Sequence, residues 1–182
     1  MGVEQGLLRL EFFKPAANPL FLVNDLNEAV PTAAAGWYEG NVIRLCESQL
    51  PDPMALVGTM AHELAHQRLL GEGRVRHDVY DNELLTDLTV VFKGMGIFLA
   101  NVPRHWDANY PRWPGTAERK PEYMTGAMFG YALALMSWVR GDAKPAWAKF
   151  VFSGVRGELR QGLRFLHKTG DAKLKPMTRK RT

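Results

Sequence analysis

Residues 52–71 read Asp52-Pro53-Met54-Ala55-Leu56-Val57-Gly58-Thr59-Met60-Ala61-His62-Glu63-Leu64-Ala65-His66-Gln67-Arg68-Leu69-Leu70-Gly71, and the rest of the chain is organised around them. The pattern predicts a helix from about Pro53 to Leu70. Asp52 is a natural N-cap, and Pro53 suits the first helical position, where a missing N–H costs nothing. Gly71 falls where a left-handed residue usually closes a helix. Apolar side chains occur all round this helix, so most of it is expected to be buried. Two histidines and a glutamate inside it then need partners. An unpaired buried charge costs several kcal/mol, comparable with the net stability of a whole domain.

A metal ion resolves that difficulty. Residues four apart on a helix stand one above the other, so the imidazoles of His62 and His66 can converge on one Zn²⁺. Glu63 is rotated off that pair by one residue. Its carboxylate is expected beside the metal, where it can act as the base toward a water.

The wider composition sets the frame. The chain has 182 residues, 46% of them hydrophobic, which is enough for one domain with a substantial core. A single cysteine, Cys46, excludes an internal disulfide framework and a four-cysteine zinc site. The first six residues lack a basic and an apolar region, so no secretory signal is expected. Gly6 stands where a myristoylation motif needs Ser or Thr. A cytoplasmic, soluble chain is the expectation. Residues 123–139 carry no charge and include the close-packing spacing Gly126-x-x-x-Gly130. They fall short of the ~20 residues that span a bilayer, so a buried helix is expected there and membrane association is not.

Short strands are expected before the helix. Leu7–Phe13 and Leu20–Val23 are apolar runs. Ala33–Tyr38 and Val42–Leu45, joined through Gly40-Asn41, read as a hairpin. Ala33, Ala34, Ala35 and Gly36 suggest a strand that something approaches closely. After the helix, Gly71–Asp81 is a polar connection carrying His77. A second helix is then expected from about Asn82 to Ala100.

Catalytic zinc commonly takes three protein ligands, and two histidines with a glutamate form one such set. Glu83 is the candidate third ligand, with His77, Asp78, Asp81 and Asp87 as rivals. Asp87, one turn further on, suits a hydrogen bond that fixes the tautomer of a ligating histidine. The plain alternative makes Asn82, Glu83, Thr86 and Lys93 a solvated stripe.

His62-Glu63-x-x-His66 followed by Glu83-x-x-x-Asp87 resembles the gluzincin branch of zinc metallopeptidases, whose familiar member is thermolysin. The related metzincin pattern needs a glycine and a third histidine where this chain has Leu69 and Glu72. The resemblance covers about residues 33–100. It implies an α+β, zincin-like fold with a small N-terminal sheet packed on the His62–His66 helix, followed by a mostly helical C-terminal half. The domain is expected over residues 1–167. The activity implied is hydrolysis of a peptide or protein substrate lying along the sheet edge near residues 33–37. Gluzincins supply a His or Tyr to the oxyanion, and His77, His105, Tyr123 and Tyr131 are the candidates. Residues 101–121, rich in Pro and Trp, are expected to form a flap over the cleft.

Charge divides the chain. Residues 140–182 carry 12 Lys/Arg and 3 Asp/Glu, whereas residues 1–139 carry 11 and 16. Arg156, Arg160, Arg164 and Lys168 recur every four residues, so one face of a terminal helix is expected to be basic. A basic, disordered tail is expected over 168–182. Such asymmetry suits an acidic partner or nucleic acid, and it motivates the second functional reading, a non-catalytic zincin-like module that binds nucleic acid.

Overall fold

The computed structural model describes residues 2, 8–14, 22–23, 29–30, 35–102, 123–170 and 174. The central helix, α1, occupies Pro53–His66. Asp52 caps it, one carboxylate oxygen accepting from the Met54 and Ala55 amides at 3.0 and 3.1 Å. Those amides belong to the helix's first turn and have no partner within it. The helix does not stop at a left-handed Gly71. After His66 it widens into a π turn over Gln67–Gly71, and the left-handed residue is Gly73, with φ 63°.

Among the described residues five short strands precede α1: β1 (Arg9–Phe13), β2 (Leu22–Val23), β3 (Ala29–Val30), β4 (Gly36–Glu39) and β5 (Val42–Cys46). β2 and β3 pair with each other. The main sheet has the order β1-β5-β4, with β1 parallel and β4 antiparallel to β5. The β4–β5 hairpin turns at Gly40-Asn41 as expected, and Gly40 takes φ 57°, a conformation that glycine adopts without steric cost.

The sheet meets α1 through its smallest residue. A Cβ on Gly36 would stand 2.8 Å from the Thr59 methyl of α1, so only glycine allows this approach. Ala33 and Ala34 lie outside the described residues. Gly71 also lies close to the sheet: a Cβ there would run into the Tyr38 hydroxyl of β4, so that side chain would have to shift.

The helix expected over 82–100 is two helices, α2 (Asn82–Phe92) and α3 (Gly96–Ala100). Gly94 causes the break. It takes φ 85°, its amide bonds the Val91 carbonyl, and the Met95 amide bonds the Val90 carbonyl, both at 3.0 Å. That pair of bonds is the Schellman ending, which satisfies the last carbonyls and turns the chain away.

α4 (Gly126–Val139) and α5 (Ser153–Thr169) form the helical hairpin of the C-terminal half. A Cβ on Gly130 would stand 2.9 Å from the Leu159 amide and 3.0 Å from the Val155 carbonyl, so the two backbones nearly touch there. The Gly126–Gly130 spacing therefore serves close packing inside the core. That core gathers Phe129, Leu133, Leu159, Leu163 and Leu166 with Val90, Val91 and Leu99 from α2 and α3. Among the described residues no helix is long and apolar enough to cross a membrane. Lys168 and Thr169 belong to α5, which closes on a left-handed Gly170, so the helix runs two residues past the boundary expected at 167. The flap expected over 101–121 lies almost wholly outside the described residues, as does nearly all of the expected tail beyond α5. The architecture is α+β and mostly helical.

Candidate metal centre

Two elements build the site. α1 contributes His62, Glu63 and His66 near its C-terminal end, and α2, packed against it, contributes Glu83, Thr86 and Asp87 from its first two turns. Spacing on each helix does the local work. His62 and His66 are four apart and so are Glu83 and Asp87, which puts each pair on one face. Packing then turns the two faces toward each other.

His62 Nε2 lies 3.0 Å from His66 Nε2 and 3.0 Å from a Glu83 carboxylate oxygen. The same oxygen is 3.3 Å from His66 Nε2. These three donor atoms form a small triangle and can hold a metal ion. A tetrahedral ion with bonds of about 2.0–2.1 Å needs its ligands roughly 3.3–3.4 Å apart. The triangle is slightly tighter than that, within the adjustment that side-chain rotation allows.

The hydrogen bonds behind the triangle point the right atoms inward. Asp87, fully buried, lies with Oδ1 2.9 Å from His62 Nδ1. When Nδ1 donates there, the Nε2 lone pair is left facing Glu83 and His66. Thr86 donates its hydroxyl proton to the Asn82 carbonyl at 2.8 Å, so its oxygen can accept from His66 Nδ1, 3.4 Å away. His66 is thereby biased toward the same tautomer. Asp87 has a second duty: its Oδ2 accepts the Met124 amide at 2.8 Å, fixing the residue just before the N-cap of α4.

The electrostatics favour a cation. Burial opposes charge on His62, but hydrogen bonds to Asp87 and Glu83 and the field of Glu63 outweigh it, pushing the His62 pKa up to about 9. Burial alone would raise the Glu83 carboxyl. Hydrogen bonds from His62 and His66 outweigh it and hold that carboxyl well below the usual carboxylate range. Without a metal, His62 therefore keeps a proton at neutral pH. That proton points at two acceptors 3.0 Å away and can be linear to only one of them. A divalent cation replaces it with one centre that all three lone pairs can face.

Glu63 is 5% exposed and stands outside the donor triangle. Its charge is felt at His62, but it contributes no atom to the cluster. The remaining sequence candidates separate clearly. His77, Asp78 and Asp81 are exposed on the connection between α1 and α2, and none of them joins the triangle. Tyr131 packs beside Gly162 of α5, away from the site. His105 lies outside the described residues. Tyr123 is set edge-on against the His62 ring, centroids 5.7 Å apart.

The stripe proposed on α2 divides: Asn82 and Glu83 are half-buried, Thr86 is buried and Lys93 is exposed. Thr86 is 0% exposed, which removes the solvated-stripe alternative for it, and Asp87 beside it is equally buried. Thr86 is the member that sequence reasoning passed over as a ligand-orienting group. Its signal was the shared face with Glu83, three residues earlier. No family model, curated protein or solved structure matches the chain.

Proposed function

We propose that the protein is a zinc-dependent peptidase of zincin-like architecture. The observation that carries this reading is the convergence of His62 Nε2, His66 Nε2 and one Glu83 oxygen within 3.0–3.3 Å, with Asp87 fixing the tautomer of His62. Two histidines with one carboxylate leave room for a fourth position, the mark of a catalytic rather than a closed structural site. Zinc held there supplies Lewis acidity, enough to bring a water's pKa to about 7 and to polarise a scissile carbonyl.

The chain's own residues do the rest. Glu63 takes the proton of the attacking water and returns it to the leaving nitrogen, so one carboxylate serves as base and then as acid. Burial keeps Glu63 out of bulk water, where its proton would otherwise be lost to solvent. Asp87 holds the His62 ring in register throughout. Among the described residues β4 is an edge strand packed on α1, and an extended peptide would add along it as a further strand.

Metal content tests the reading first. The purified protein is expected to carry close to one zinc per chain, and a chelator should lower its thermal midpoint, since a ligand bound only by the folded state adds to stability. Zinc far below stoichiometry by elemental analysis, with no thermal shift on adding the ion, removes the proposal. Stoichiometric zinc without hydrolysis of casein or a random peptide library makes the site a scaffold instead.

Tyr123 is the proposed oxyanion donor, on the strength of its place against His62. Tyr123→Phe keeps that ring contact and deletes only the hydroxyl. It should lower kcat by about 10²–10³, the usual effect of losing one such donor, with zinc content unchanged. A kcat equal to wild type assigns the role elsewhere.

A further inference from the structure

Two hollows flank the start of α5, next to the N-terminal end of α1. One, of about 560 Å³, is walled in part by Asp52, Lys149, Phe150, Phe152 and Arg156. The other, of about 320 Å³, includes Lys144, Lys149, Arg156 and Arg160. Lys149 and Arg156 border both and tie them into one basic surface. Met54, on the wall of the first hollow, is eight residues before His62, so the surface lies roughly 12 Å along the helix axis from the metal centre.

Two aromatic rings stand out of this surface, and the fold holds them there. Phe150 is 63% exposed and Phe152 59%, while Val151 between them is 2% exposed. The backbone is extended at Val151, so the side chains before and after it share a side. Asn101, itself buried, clamps the segment. Its Nδ2 donates to the Phe150 carbonyl at 2.7 Å, and its Oδ1 accepts the Phe152 amide at 2.9 Å. A buried amide thus fixes two phenyl rings in solvent, with the Lys149 ammonium 5.0 Å from the centre of the Phe150 ring.

Charge around the rings is mainly positive, with Asp52 the one acid on the walls of the two hollows. Arg160, Arg164 and Lys168 continue along α5 and are all exposed. Glu158, the one acid of that helix, is turned to the other side, where its Cβ packs at Gly130 of α4. Asp52, on the wall of the first hollow, already accepts two amides of α1 with one oxygen.

We propose that this surface binds single-stranded nucleic acid, with Phe150 and Phe152 stacking on bases and Lys149, Arg156 and Arg160 meeting phosphates. Unpaired bases offer the flat faces that exposed rings stack on, and a duplex hides them. The cations lie on the walls of concave hollows. That shape fits a strand with projecting bases better than a flat lipid surface, where rings and charges would need to lie on one convex front. This goes beyond the peptidase reading and does not depend on it, because none of these residues touches the metal centre.

Fluorescence anisotropy tests the proposal with labelled oligothymidine and oligouridine of about 20 nucleotides, enough to cover one such site. The same-length duplex and phosphatidylserine-containing vesicles are run alongside, at about 50 mM salt, where non-specific contacts hold well. The single strands should bind more tightly than the duplex. Replacing both Phe150 and Phe152 by Ala should weaken binding at least about ten-fold with little change in salt dependence, while the paired Tyr substitutions, which keep flat rings, should bind like wild type. The paired change Lys149→Ala and Arg156→Ala should weaken binding and reduce the salt slope by about 1.4, the release of two counterions on a single strand. Zinc content and thermal midpoint should be unchanged in all variants. If the alanine pair at 150 and 152 fails to fold, Phe150→Ala and Phe152→Ala taken singly supply the ring test, and each should weaken binding. Absence of oligonucleotide binding overturns the proposal, as does binding indifferent to the loss of both rings. Ring-dependent binding to vesicles without binding to oligonucleotides also overturns it and makes the surface a lipid contact.

Discussion

Glu63→Gln is expected to keep its zinc and lose its activity. The amide matches the carboxylate in shape, and at a site 5% exposed that match preserves packing. What it cannot do is take a proton from water. Removing a general base costs about 10²–10⁴ in rate, and the loss should lie at or beyond the upper end because the same group also protonates the leaving amine. The whole loss should appear in kcat, with KM little changed, since the carboxylate acts on the reacting water rather than in holding the peptide. Elemental analysis of the variant beside its kinetics separates the two roles open to Glu63. Zinc at wild-type level with hydrolysis gone fits a base. Loss of zinc makes Glu63 a ligand and overturns the assignment of His62, His66 and Glu83.

Glu83→Ala should have the opposite signature: metal and activity disappear together. Two imidazoles from one helix then remain, without the carboxylate that both joins them and offsets part of the ion's charge. The side chain is 29% exposed, so its removal opens no sealed cavity and the fold should survive without metal. Zinc recovered at below about a tenth of stoichiometry after dialysis, with a retained helical spectrum, is the expected result; affinity equal to wild type contradicts it.

Asp87→Ala differs again. Asp87 is wholly buried and accepts from both His62 Nδ1 and the Met124 amide. Its loss should weaken zinc binding by about 10–100-fold, as changes behind a ligand typically do. It should also destabilise the metal-free protein, because the Met124 amide loses a buried acceptor at a cost of about 1–3 kcal/mol. A titration with a zinc buffer and a thermal melt of the metal-free protein read those two effects separately.

The start of α1 was written locally: Asp52 and Pro53 specify a helix start wherever they occur, because capping bonds and a fixed φ need nothing distant. The Gly40-Asn41 turn and the i,i+4 pairing of His62 with His66 were legible for the same reason. The helix end was not. Gly71 has the composition of a cap, yet the Tyr38 hydroxyl arrives beside it from β4, and no local pattern announces that approach. Gly94 carried a local signal for ending α2, which the apolar periodicity running past it obscured.

The site divides along the same line. By itself the sequence determined which residues share a face: His62 with His66, and Glu83 with Asp87, because helical periodicity is a property of the backbone. Only the tertiary structure decided that these two faces meet, that one Glu83 oxygen reaches both Nε2 atoms, and that Thr86 and Asp87 stand behind the rings. It likewise turned Phe150 and Phe152 outward beside Lys149 and Arg156, through an amide at Asn101 some fifty residues earlier in the chain. The reason is the range of the forces involved. Backbone hydrogen bonds and capping act within a few residues, whereas helix packing depends on the shapes of side chains brought together from distant parts of the chain, and those shapes fix which neighbours a carboxylate or an amide finds.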